Sequence, residues 1–379
     1  MTTDAAEGLG RLTRFAERVP HGALLYDQGE VPRRIVVVLR GHLQFEVLGD
    51  DGAVSVVGGV DAGQMAGHIA AVNERPTSAA ARAAEDTIVL SIPLDSLAEA
   101  FRDAPGLAVQ LSESLAAAGK HRRSNASNDP QHRAARDAVT IPLARPLDEQ
   151  SFFVDIADCP VCDAAFEYVR IRTRGVRAAQ RDSDLRVSYT SIDPTWYALI
   201  VCPTCAFASY RDDFEAVGDD ERERLAASTA ERRAMAPKAL AGERSARDAE
   251  VALELAMQCY ALRRPNDRRH AVLLHRRAWL ARAAGDSDDE MEWLQRARDA
   301  YQTAYERDPE VDEDSALRAA YLIGDLTLRL GDPMASSRWF EVCLKAGASE
   351  QSSLVRMARD RLHDAREAAK SLTEAAKAS

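Results

Sequence analysis

No stretch of this chain approaches the roughly 20 consecutive apolar residues that a membrane-spanning helix needs, so no membrane is expected as a partner. Met1–Gly10 is polar and acidic and lacks an apolar signal core, so no secretory leader is expected. Aromatic residues are scarce at 6%, which favours Ala- and Leu-rich helices over a large β protein. Basic excess is missing too. The formal net charge of −11 is the opposite of a nucleic-acid footprint, and DNA is not expected as a partner. A catalytic constellation is also missing. The eight histidines are scattered, His270 and His275 have the wrong helical spacing for a paired metal site, and no glycine-rich phosphate loop opens a helix. No enzyme is expected. The cysteines show no disulfide-like spacing, so a reducing cytoplasm is the expected compartment.

What is present is concentrated. Four of the six cysteines form two knots, Cys159-Pro160-Val161-Cys162 and Cys202-Pro203-Thr204-Cys205. Each knot places two thiolates on one tight turn. Together they supply the four sulfurs of a closed tetrahedral zinc site, so structural zinc is the expected cofactor. The gap between the knots exceeds the usual ribbon spacing but accommodates a small sheet or extended loop. The competing reading is a redox dithiol, which is normally a single CxxC opening a helix. Both knots here lie among strand-like and aromatic residues. Cys259 and Cys343 stand alone in helical patterns and read as small core hydrophobes.

The fold class expected is multidomain α+β. An antiparallel, jelly-roll-like β-roll with C-terminal helices comes first (1–120), then a linker (121–149). A small zinc ribbon follows (150–217), and an all-α domain of tetratricopeptide-like (TPR-like) helical hairpins ends the chain (218–379). In the first segment, Ile35–Leu39, Leu43–Leu48 and Thr87–Ile92 read as strands, with a hairpin signal at Asp51-Gly52. Helices are predicted from about Leu94 to Arg102 and Leu107 to Ala118. The second of these could serve in a homodimer. The linker carries Ser124–Pro130, Pro142 and Pro146.

The residues Leu24–Glu30, Arg40-Gly41, Gly63–Gly67, Thr77–Ala79, Arg82-Ala83 and Asp86–Pro93 resemble the cyclic-nucleotide-binding domain of the catabolite-activator type. That resemblance implies a phosphate cassette built from Gly67, His68, Ile69, Ala70, Arg75, Thr77, Ser78, Ala79 and Arg82, with a cyclic nucleotide as its ligand. In that family a Glu follows the glycine and holds the ribose, and an Arg pairs with the phosphate. Here His68 stands in the Glu slot and Thr77 in the Arg slot. Arg75 lies two residues before Thr77 and Arg82 five after it, so either could substitute. No helix-turn-helix follows the roll.

In the second half, Cys159–Cys162, Arg181-Asp182-Ser183-Asp184, Pro194 with Tyr197, Val201–Cys205 and Asp212–Phe214 resemble the bacterial family labelled domain of unknown function 2225. The resemblance implies fold and metal, and no activity. Arg181, Asp182 and Asp184, beside the metal ligands, are expected to form an ion-pair network that orients their loop. Arg170, Arg172, Arg174, Arg177 and Arg181 form a basic run, read either as a solvated face or as an RNA-binding patch.

Beyond Asp219 the pattern is helical, with stop and cap signals at Arg264–Asp267, Gly285-Asp286, Asp308-Pro309, Gly331–Pro333 and Gly347. Tyr321–Leu326, Leu330–Asp332, Ala335 and Trp339-Phe340 read like a tetratricopeptide repeat, with a looser copy from Ala278 to Ala297. Such hairpins dock proteins or simply pack on the zinc module. Trp279, Trp293 and Trp339 are expected in the core. Three functions remain open: a regulatory adaptor with a nucleotide-sensing roll, a structural scaffold whose roll has lost its ligand, and an RNA-associated zinc-ribbon protein.

Overall fold

The computed structural model describes residues 12–48, 54–73, 75–121, 140–143, 147–172, 174, 176–236, 238–307, 313–345 and 353–378. The Asp51-Gly52 hairpin and the signals at Asp308-Pro309 and Gly347 lie outside the described residues.

Two antiparallel four-stranded sheets form the N-terminal roll. Strands β1 (Ala16–Val19), β3 (Arg34–Arg40), β6 (Met65–Ala66) and β8 (Thr87–Pro93) make one sheet, in the order β1-β8-β3-β6. Strands β2 (Leu24–Tyr26), β4 (His42–Leu48), β5 (Val54–Asp61) and β7 (Ala80–Ala83) make the other, in the order β2-β7-β4-β5. The unbroken apolar run in β3 has a physical cause, because both its faces are covered. Val36 and Val38 join Leu43, Ala81 and Val89 between the sheets. Ile35 and Val37 join Leu90, Ile92, Ala100 and Leu111 beneath the helices. Each of the valine, leucine and isoleucine side chains contributes about 1.5–3 kcal/mol by leaving water. The helices are α1 (His68–Val72), α2 (Leu97–Asp103) and α3 (Pro105–His121).

The middle of the chain is built from hairpins: β9 (Phe152–Asp158) with β10 (Ala165–Ile171), β11 (Ala178–Arg181) with β12 (Val187–Tyr189), and β13 (Leu199–Val201) with β14 (Ala208–Tyr210). Part of the expected linker belongs here instead. Ile141 bridges Phe166 in parallel, the Leu143 amide donates to Glu167, and Leu143 packs on the core, so this stretch extends the β9–β10 sheet. The core does not stop at residue 217 either. Phe166, Phe207, Phe214 and three of the knot cysteines are continuous with Leu240, Leu255, Ala256, Cys259 and Leu273.

Helices α4 (Arg211–Phe214), α5 (Asp219–Ala227) and α6 (Thr229–Met235) lead into six longer ones. These are α7 (Ala246–Ala261), α8 (Asp267–Ala284), α9 (Ser287–Arg307), α10 (Glu313–Arg329), α11 (Pro333–Lys345) and α12 (Ser353–Ala378). The two Gly-Asp corners are built alike. Gly285 and Gly331 take the left-handed conformation at φ 76° and 87°. The following amides, of Asp286 and Asp332, reach back to the carbonyls of Ala281 and Thr327 at 3.1 Å each. The same aspartates then cap the next helix through the amides of Asp289 (3.1 Å) and Ala335 (2.9 Å). Gly324 lets α10 and α11 cross closely: a Cβ there would lie 2.9 Å from the Phe340 ring. Cys259 and Cys343 are buried, as expected of core residues. Trp279, by contrast, lines a cavity.

The roll sits against the second half through one contact that demands glycine. Gly29 has φ 80°, and the Phe153 ring lies where its Cβ would project. Arg174 reaches Asp27 across the same boundary, its backbone amide donating to Oδ2 at 3.3 Å.

Candidate functional site

Eight of the nine cassette residues line one cavity of about 390 Å³ in the roll: Gly67, His68, Ile69, Ala70, Arg75, Thr77, Ser78 and Ala79, with Tyr26 and Phe45 opposite. Gly67 turns the chain at φ 72°, and a Cβ there would come within 3.2 Å of the Tyr26 ring. The ninth, Arg82, does not join them. It lies on β7, and its guanidinium is engaged by Glu46 (2.9 Å) and the Gly22 carbonyl (2.8 Å). The expectation that Arg82 could replace the missing phosphate arginine is thereby corrected, since its charge is already met. Thr77 is also occupied, donating its hydroxyl to the Asp27 carbonyl at 2.6 Å. His68 is buried, and neither ring nitrogen has a hydrogen-bond partner among the described residues. Burial lowers its pKa, so the ring is held neutral. Of the two arginines singled out, Arg75 is the one on the cavity wall.

The two cysteine knots share one geometry. In each, the first cysteine's amide donates to the carbonyl five residues on: Cys159 to Ala164 and Cys202 to Phe207, both at 2.9 Å. In each, the amide four residues on returns to that cysteine's carbonyl: Asp163 at 2.9 Å and Ala206 at 3.0 Å. Asp163 and Ala206 both take positive φ, 59° and 53°. The knots form the turns of the β9–β10 and β13–β14 hairpins, and so face each other. All four sulfurs lie within 4.8 Å of one another. Cys159 and Cys205 are 3.5 Å apart, and Cys162 and Cys202 are 3.7 Å apart. These separations are far beyond the roughly 2.05 Å of a disulfide, and the thiols are free. Hydrogen bonds from the Cys159 and Cys202 thiols hold Cys205 well below the ordinary thiol range. The four cysteines could hold a metal ion, and Phe166, Tyr168, Phe207, Tyr210 and Phe214 pack around them.

Asp182 and Asp184 do form an ion-pair network, but with the helices, and Arg181 has no ion pair in it among the described residues. Asp184 is wholly buried and accepts from Arg282 Nη2 (2.6 Å) and Trp279 Nε1 (3.2 Å). His275 Nε2 lies at 3.5 Å and Arg329 at 3.8 Å. Burial would raise this carboxyl, yet His275, Arg282 and Arg329 outweigh it and hold it well below the usual carboxylate range. Asp182 pairs with Arg282 at 3.0 Å. Ser183 donates to Asp325, itself wholly buried and paired with Arg329 (2.9 Å) and Arg361 (2.7 Å). One loop is thus fastened to α8 and α10, and α12 joins through the Arg361–Asp325 pair. Its helical partners escaped the sequence reading. The available signal was the stripe His275, Trp279 and Arg282, whose spacing of four and then three puts it on one helix face.

The basic run is largely spent internally. Arg170 pairs with Asp155 at 2.9 Å, Arg172 donates to the Glu149 and Phe152 carbonyls at 3.1 Å, and Arg174 donates to the Gln150 carbonyl at 3.2 Å. Among the described residues, no helix is long and apolar enough to cross a membrane.

Residues 16–104 match the cyclic nucleotide-binding domain family. Among curated proteins, a lysophospholipase nte1 from Aspergillus oryzae is 29% identical over 99 residues, which are 26% of this chain and 6% of that protein. Its counterpart in Aspergillus terreus matches to the same extent. The chain thus spans 6% of the length of these relatives. Among solved structures, the catabolite activator protein of Thermus thermophilus is similar over 31% of this chain and 56% of its own, at 23% identity and a TM-score of 0.28. A transcriptional regulator from Thermotoga maritima is similar over 31% of this chain and 92% of its own, at 15% identity and a TM-score of 0.28. Residues 153–365, more than half of the chain, match the family described as "Uncharacterized protein conserved in bacteria (DUF2225)", and the chain belongs to that family.

Proposed function

We propose that this chain is a cytoplasmic regulatory adaptor, not an enzyme, in which a ligand-sensing roll is joined to a zinc-held module and TPR-like helical hairpins that dock a protein partner. The observation that supports this reading is the convergence of eight cassette residues on one roll cavity. Its volume of about 390 Å³ lies within the range of small-molecule sites. A cyclic nucleotide entering it would meet Arg75 as its cation and no carboxylate at position 68 for the ribose. Zinc is the ion that the four-sulfur set fits best. A tetrahedral ion with Zn–S bonds of about 2.3 Å needs sulfurs roughly 3.8 Å apart, close to the separations found. Its role is structural, because four cysteines leave no open position. The repeated Gly-Asp corners and the Gly324–Phe340 crossing support TPR-like hairpins. Helix α3, with Val109 exposed, is the candidate face for a homodimer.

The second reading, a scaffold whose roll has lost its ligand, is favoured by the capture of Thr77 and Arg82 in internal hydrogen bonds. Isothermal titration of the zinc-loaded chain with cAMP, cGMP and cyclic dinucleotides separates the two. Micromolar binding that Arg75→Met abolishes supports the sensor. Absence of heat with every nucleotide removes it and leaves the scaffold. An RNA-associated role requires binding that weakens steeply with salt, and the internal pairing of Arg170, Arg172 and Arg174 counts against it.

A further inference from the structure

A second cavity, of about 410 Å³, lies in the helical half between the Asp184 loop and helices α8, α9 and α10. Its wall is mainly apolar or aromatic, with Val272, Trp279, Tyr301, Tyr305 and Leu322. One member of that wall is a buried cation. Arg276 is 3% exposed, and its Nε and Nη1 have no hydrogen-bond partner among the described residues. Its guanidinium rests on the Tyr210 ring, 5.1 Å from the centroid. No carboxylate among the described residues pairs with it. A buried cation without a counter-ion carries a desolvation penalty that a compensating anion offsets.

One carboxylate stands on the same wall and does not serve. Asp184 lines the same cavity, but Arg282, Trp279 and His275 already take it up. Arg268 and Arg318 stand on the wall as well. The geometry points to a binding site for a small organic anion, with its apolar body against Tyr305, Val272 and Leu322 and its oxyanion supplying the counter-charge to Arg276. Arginine suits a carboxylate, phosphate or sulfonate head through paired donors. The volume lies within the range of drug-sized ligands. This site is separate from the roll cavity, and its test does not depend on nucleotide binding.

The test uses two fluorescent probes with the same aromatic body on the full, zinc-loaded chain. One is 1-anilinonaphthalene-8-sulfonate. The other is uncharged N-phenyl-1-naphthylamine. The sulfonate is expected to bind at least about tenfold tighter, as a charge-assisted hydrogen bond provides. Arg276→Met should remove that advantage while leaving the uncharged probe within about threefold. Ala316→Phe, at a half-buried wall position, keeps the arginine and should weaken both probes at least about tenfold. If the sulfonate shows no advantage, or keeps it in Arg276→Met, the anion site is wrong. Should Arg276→Met fail to fold, Ala316→Phe decides: unchanged binding of both probes overturns the site, and loss of both supports it.

Discussion

The cysteine knots and the roll cavity make opposite uses of an inherited shape. In the knots every chemical group that the site needs is present, and the backbone of two matching turns aims all four sulfurs inward. In the roll the cavity is present, but part of the expected cassette chemistry is engaged elsewhere. Thr77 donates to a backbone carbonyl, Arg82 pairs with Glu46, and His68 sits buried and neutral. A set of metal ligands is all or nothing, because three sulfurs leave an open position on the ion. A ligand cavity can lose one contact at a time and keep its walls, since wall packing and ligand contacts are separate contributions. The knots should therefore respond to a single change far more steeply than the cavity does.

The largest effect should follow removal of a knot sulfur. Structural zinc contributes on the order of 10 kcal/mol to the folding of small domains. Here Cys159, Cys202 and Cys205 share one core with Phe166, Phe207 and α7. Cys202→Ser, or a strong chelator, should unfold that core and leave the roll's two sheets intact. Metal content per chain and a thermal melt check it. A metal-free Cys202→Ser chain with an unchanged melt would show that packing alone holds the knots.

Next comes the Asp184 network, which like the knots is complete. Asp184→Ala leaves Arg282, His275 and Trp279 facing an emptied buried site, and about 3–5 kcal/mol should be lost in urea unfolding. The acid side gives an independent check. The folded Asp184 carboxyl ionises below its unfolded value of about 4. Its contribution is therefore fully present above that value and is lost as pH falls through the folded pKa. Asp184→Asn should flatten the acid limb of stability against pH. An unchanged acid limb would mean that other carboxylates carry it.

Legibility in the sequence followed the same division. Features carried by a few adjacent residues could be read directly. The knots, the two Gly-Asp corners and the β3 run are local, so spacing and residue type determine them. The Arg181–Asp184 loop could be recognised as important, but its partners could not. Arg282 comes from one helix and Asp325 and Arg329 from another, far along the chain, and only tertiary packing brings them to one loop. The linker was misread for a related reason. Ile141 and Leu143 look unremarkable between prolines, and their place is set by the edge of β10, which they join. The fate of Arg82 was hidden because its partner Glu46 lies on the neighbouring strand β4.

The join between roll and module offers a smaller effect. Gly29→Ala forces an alanine to φ 80° and places its Cβ against the Phe153 ring, so about 1–3 kcal/mol should be lost. In a Phe153→Ala background the steric part disappears and only the backbone strain remains. A double-mutant cycle should therefore show the two changes coupled. Strict additivity would place the roll elsewhere on the module.

The smallest effect belongs to the cavity itself, and it states most directly what distinguishes it from the knots. His68 has no hydrogen-bond partner among the described residues, and burial pushes its pKa below the usual value of about 6.5. The folded roll therefore refuses a proton that the unfolded chain accepts. Stability is full above the unfolded pKa, falls as pH drops below it, and levels off below the folded pKa. The slope cannot exceed about 1.4 kcal/mol per pH unit for one proton. His68→Leu fills similar space without a titrating group, so it should cost little at pH 7.5 and remove the slope between the two pKa values. Proton resonances of the eight histidines give the direct reading. The signal missing from His68→Leu should titrate below the usual histidine value. If it titrates at or above that value, the ring has found a polar partner, and the cavity keeps more of its binding chemistry than Arg75 alone supplies.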